Sequence, residues 1–82
     1  MPTIHRQDGF EVVIYTHDHP PAHVHVFDAD GEVVVLLGQA HEKPQVRENN
    51  GMRPKREKQA VALVAENQEA FWQRWRRFHG NA

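Results

Sequence analysis

Four histidines fall within nine residues, His17, His19, His23 and His25, in the run from Thr16 to Val26. Imidazole exchanges protons and ligates metals near neutral pH, so the cluster points to proton transfer, metal coordination or contact with an anion. On an extended chain His23 and His25 project from one face, about 6.5–7 Å apart, and Val24 and Val26 from the other. Two imidazoles at that spacing can converge on one divalent transition metal, with His19 or His17 reaching in from the preceding loop. Asp18 can ligate directly or orient a ring. The metal-ligand candidates are therefore Asp18, His19, His23 and His25. A metal-free alternative uses His23 or His25 as acid and base, with Tyr15 assisting, because a neutral and a cationic imidazole together can activate a hydroxyl and protonate a leaving group. The plain alternative is polar alternation on a solvent-facing strand. Neither His-Glu-x-x-His nor paired Cys-x-x-Cys occurs to choose among these readings.

The elements that must position these groups follow from the apolar pattern. Phe10 to Thr16 is rich in β-branched and aromatic residues and is bounded by Asp8-Gly9 and by the His/Pro segment, so it reads as a strand. His23 to Phe27 is a second strand and Glu32 to Leu37 a third. The intervening Asp28-Ala29-Asp30-Gly31 suits a tight connection with positive φ. Pro20 and Pro21 stiffen the loop that carries His19. A three-stranded antiparallel meander results, and Pro44 to Arg47 supplies a short fourth strand. From Pro54 the pattern is helical, with no further Gly or Pro until Gly80. Ala60, Val61, Val64, Ala65, Phe71, Trp72, Trp75 and Phe78 share one arc, interrupted by Gln68. The expected fold is α+β: a three- or four-stranded antiparallel sheet packed by one long C-terminal helix. That helix runs for about 36 Å, longer than the strands, so Trp72, Trp75 and Phe78 are expected either in the core or at a partner or homodimer surface.

Eighty-two residues support one small domain, residues 1–82, and the absence of cysteine leaves its stability to apolar packing. Ten basic and eleven acidic side chains give a net charge of −1 with neutral histidines, which argues against a globally basic nucleic-acid binder. Protonating all seven histidines takes −1 to +6, so affinity for polyanions is expected to rise on acidification. The first eight residues lack the basic-then-apolar order of a signal peptide, and the apolar run Val33 to Leu37 is too short to span a bilayer. A cytoplasmic protein with no membrane association is expected.

A second cluster, Arg53, Lys55, Arg56 and Lys58, surrounds the helix start. Cations there oppose the helix dipole, and with the N-terminal N–H groups they form a candidate contact for a nucleic-acid phosphate or another anion. The alternative is a solvated charged turn. Arg74, Arg76 and Arg77 complement the dipole at the other end, and His5, His41 and His79 read as plain surface residues.

The start Met1-Pro2-Thr3-Ile4, then Asp8-Gly9, Tyr15, Asp18-His19, Pro21, His23-Val24-His25-Val26 and the helix from Pro54 to Trp75 together resemble the small bacterial domain-of-unknown-function family 4160. The likeness covers nearly the whole chain. The family signature reads approximately Asp-His-x-Pro-Pro-His-Phe-His-Val. His19, Pro21, His23 and His25 match it, whereas Ala22 stands for a proline and Val24 for an aromatic. The resemblance implies no reaction. It does imply one component of a two-gene module of toxin–antitoxin type that acts through a small protein partner. A loose likeness in outline to small RNA-directed toxins makes RNA the first polyanion to test.

Overall fold

The computed structural model describes residues 3–39 and 41–80; the Met1-Pro2 start that enters the family resemblance lies outside them. Five strands, β1 (Thr3–Gln7), β2 (Phe10–Val13), β3 (His23–Phe27), β4 (Glu32–Leu36) and β5 (Gln45–Asn50), are followed by one helix, α1 (Pro54–His79). The strands form a single antiparallel meander in the order β1-β2-β3-β4-β5. The α+β class is as expected, but the sheet has five strands rather than three or four.

The additional strand is β1, whose residues Thr-Ile-His-Arg-Gln carry too little apolar character to announce it. Its signal is the Asp8-Gly9 pair. Both residues have positive φ, 53° and 81°, and Gln7 faces Phe10 across a two-residue connection, the arrangement for which Asp-Gly is best suited. That pair is therefore a hairpin turn and not merely a strand boundary. The first expected strand is correspondingly shorter: β2 stops at Val13, and the chain from Tyr15 leaves the ladder to build the histidine loop.

The β3–β4 connection does not use positive φ. Instead, the Asp28 carboxylate accepts the N–H groups of Asp30 and Gly31, both at 2.9 Å, and the Asp28 N–H donates to the Gly31 carbonyl. Glycine is required at position 31 because a Cβ there would lie 2.4 Å from the Asn50 carbonyl oxygen. At that point the end of β5 crosses close to the turn before Asn49 locks Met52 through its side-chain amide.

Pleating divides the sheet. Val12, Val24, Val26, Val33 and Val35 are fully shielded against Ala60, Leu63, Val64, Phe71 and Trp75 of α1. Burying such side chains contributes about 1.5–3 kcal/mol each. The helical arc differs in detail from the expected one: Leu63 belongs to it, Ala65 is exposed, and Trp75 is wholly within the core rather than on a partner surface. Gln68, the polar interruption, binds the β4–β5 loop by accepting the Gly38 N–H and donating to the Glu42 carbonyl. Trp72 is half-buried, and its indole N–H donates to the Gly38 carbonyl. Among the described residues, no helix is long and apolar enough to cross a membrane.

Candidate metal centre

The second face of the sheet carries the histidines. His25 pairs with Val13 on one side and Val34 on the other, and His23 pairs with Leu36. Since side chains two apart share a face, His23, His25, Val34 and Glu32 line one surface. The β2–β3 loop folds back to bring Asp18 over it. The Tyr15 N–H donates to Asp18 Oδ2 at 2.9 Å and the Asp18 N–H donates to the Tyr15 carbonyl, so the carboxylate is fixed by its own turn.

One ligand atom each from Asp18, His23 and His25 fall within 4.8 Å of one another. His23 Nδ1 lies 2.8 Å from the Pro21 carbonyl oxygen, and His25 Nδ1 lies 2.8 Å from Glu32 Oε2. A carbonyl only accepts, and an ionised carboxylate only accepts. Both Nδ1 atoms therefore carry the proton, and a neutral ring at either position presents the Nε2 lone pair. Both Nε2 atoms face Asp18, at 3.5 Å for His23 and 3.3 Å for His25.

The two sides of each ring are thus held differently. The Nδ1 contacts have the length of strong hydrogen bonds, whereas the Nε2 contacts are about 0.3–0.6 Å longer than the usual N–H···O separation. Burial pushes the Asp18 carboxyl up, but the Tyr15 N–H and the imidazoles of His25 and His23 outweigh it and hold the group below its ordinary value. A carboxylate facing two imidazole lone pairs needs positive charge between them, supplied either by ring protons or by a shared cation.

Aromatic packing limits how the rings can turn. Tyr15 meets His25 edge-on at 4.9 Å and stacks on His17 at 5.7 Å. Trp75 meets His23 at 5.3 Å and His79 at 4.2 Å. His79 also donates from Nε2 to the Tyr15 carbonyl at 3.2 Å. His79 is therefore a half-buried brace at the end of the sheet, not a plain surface residue. His5, half-buried and edge-on to Phe71, departs from that expectation as well. His41 is exposed as anticipated.

A cleft of about 380 Å³ opens beside the cluster, lined by His17, Asp18, His19, Pro20, His23, His25, Val34, Arg47 and Glu48. His19 lines it but stands outside the three-residue group. A family model described as Domain of unknown function (DUF4160) matches residues 9–76. The chain belongs to the DUF4160 family. Neither a curated protein nor a solved structure matches it. The DUF4160 match spans the whole cluster and the cleft but excludes β1 and His79.

The cations at the helix start are brought to the opposite end of the sheet. Arg56 lies over the Phe10 ring at 3.8 Å, and its Nε donates to Asp28 Oδ2 at 3.3 Å. Arg53 pairs with Asp30 at 3.4 Å. Lys55 and Lys58 are exposed. Two of the four are thus occupied with local carboxylates, and none joins the histidine cleft.

Sequence reasoning did not single out Glu32, the Pro21 carbonyl or Arg47. Glu32 was within reach, because closing a hairpin around Asp28–Gly31 sets His25 opposite Val34 and Glu32 on the diagonal of the same face. The other two depend on loop geometry and on a strand irregularity that composition does not encode.

Proposed function

We propose that this DUF4160 protein binds a divalent first-row transition ion through His23 Nε2, His25 Nε2 and one Asp18 oxygen, with further coordination positions open to the cleft. The observation that carries this reading is the asymmetry of the two rings. Bonds of about 2.0–2.1 Å to a tetrahedral ion separate neighbouring ligand atoms by about 3.3–3.4 Å; Asp18 Oδ1 lies 3.5 Å from His23 Nε2 and 3.4 Å from His25 Nε2, close to that spacing. The carbonyl and the carboxylate behind the rings are the usual outer partners of metal-ligating histidines, which fix the tautomer and raise ligand basicity. Three protein ligands beside an open cleft resemble sites that use a metal for binding or hydrolysis more than closed structural sites.

Calorimetric titration with zinc tests this reading. One equivalent is expected to bind the full chain, and His25→Ala should weaken binding by at least about 10-fold, since a direct ligand costs no less than an outer partner. Equal affinity in both proteins would overturn it.

A second reading keeps the toxin–antitoxin-like role, with a protein partner and RNA met at the same cleft without metal. It is favoured by the basic side chains His17, His19 and Arg47 around the opening. On that reading chelators leave RNA and partner binding unchanged; on the metal reading they abolish what the cleft does. The absence of cysteine accords with the cytoplasmic setting such a module requires.

A further inference from the structure

The β4–β5 ladder is irregular at one point. Val34 faces Glu48 and Val35 faces Val46, so Arg47 is an extra residue without a partner across the ladder. Such a bulge bends the strand and re-aims side chains. Here it allows two successive residues, Arg47 and Glu48, to line the same cleft wall, which regular pleating would forbid. Edge strands also use bulges to discourage pairing with other chains, but that purpose does not require a guanidinium beside the histidines.

The two side chains are in different states. Glu48 is engaged, since the Asn50 side-chain amide donates to its Oε2 at 2.7 Å. Arg47 makes no hydrogen bond or ion pair with any described residue. Arg6, Arg53 and Arg56 each pair with a carboxylate, and Arg76 lies over Trp72; what sets Arg47 apart is that it lines the histidine cleft. An arginine with no partner among the described residues therefore lines the same cleft as Asp18, His23 and His25.

Resting on the metal reading above, we propose that the cleft takes a phosphate group, held between the ion at Asp18, His23 and His25 and the Arg47 guanidinium. A phosphate can give one oxygen to the metal and two others to the planar fork of arginine. A carboxylate has only two oxygens and could do both only by sharing one of them between the ion and the guanidinium. A terminal phosphate keeps three free oxygens for this arrangement, whereas a backbone diester keeps only two and, like the carboxylate, would have to share one.

Cobalt(II) loaded into the full chain provides the readout, because its visible absorption changes when a coordination position is filled. Inorganic phosphate is expected to alter the spectrum saturably and more tightly than acetate. Arg47→Gln should weaken phosphate binding by about tenfold or more, the loss of a charge-assisted contact, without changing cobalt affinity. Arg47→Lys should recover part of the loss. In parallel titrations a mononucleotide is expected to bind more tightly than an RNA dinucleotide without a terminal phosphate, and equal affinity for the two would overturn the three-oxygen arrangement.

Cobalt binding that is unaffected by phosphate, or phosphate affinity equal in Arg47→Gln and the parent, overturns the proposal alone. Failure of cobalt to bind the parent overturns the metal reading beneath it. Because Arg47 is exposed on an edge strand, the variant should fold, and an unchanged circular dichroism spectrum with unchanged cobalt affinity verifies it.

Discussion

At the scale of single residues, the centre depends on which nitrogen of each imidazole is occupied. His25 is instructive because its outer partner is itself charged. Glu32 fixes the Nδ1 proton and adds negative charge behind the ring, so it should strengthen the Nε2 donor while making no contact with the ion. Glu32→Gln keeps an acceptor oxygen but removes the charge. Zinc affinity is expected to fall about 10–100-fold with the stoichiometry of one retained, as calorimetry can measure; an unchanged affinity would leave Glu32 a purely structural partner. The histidine spacing in the sequence already placed His23 and His25 on one face, and Asp18 was legible as a neighbour in the loop. What the sequence did not separate was Asp18 from His19: their side chains are adjacent in the chain, and only the reciprocal Tyr15–Asp18 hydrogen bonds determine which of them lies over the rings.

At the scale of elements, the β3–β4 hairpin sets the phase that puts Glu32 on the histidine face, and Asp28 holds its turn. Burial pushes the Asp28 carboxyl up, but the N–H groups of Gly31 and Asp30 and the Arg56 guanidinium outweigh it, leaving the group below the ordinary value of 3.8. A carboxyl with a lowered folded-state pKa adds stability that is fully present above its unfolded value and is lost as pH falls through the folded one. Asp28→Asn should therefore cost about 1–3 kcal/mol near neutrality, and the difference from the parent should shrink as pH drops below 3.8. Denaturant unfolding at a series of pH values checks this, and a gap that stays constant into acid would contradict it. The helix was legible because Pro54 and Gly80 mark its ends and its apolar arc is long. The strands β3 and β4 were legible from their valines. β1 was not, since Thr3–Gln7 has no apolar run and pairs only through the Asp8-Gly9 turn. The bulge at Arg47 was equally hidden, because an extra residue in a ladder leaves no mark in a chain whose neighbours are all polar or exposed.

At the scale of the whole molecule, one helix shields one side of a five-stranded sheet and leaves the other side to the β2–β3 loop. This division explains where the partly buried polar groups gather: the valine face needs only packing, whereas the opposite face brings together Asp18, His23, His25 and Glu32, with two carboxylates whose charge is balanced either by ring protons or by a shared cation. The fold as a class followed from the sequence, but the convergence of loop, hairpin and edge strand into one cleft is a property of the assembled sheet. On the proposed function a single ion is shared by Asp18, His23 and His25, with Glu32 held behind the His25 ring. X-ray absorption on the zinc-loaded protein should show two imidazole nitrogens at about 2.0–2.1 Å with carboxylate oxygen completing the protein ligands, and loss of one nitrogen shell component in His23→Ala. A zinc spectrum showing only oxygen neighbours, or one unaltered by that substitution, would contradict it.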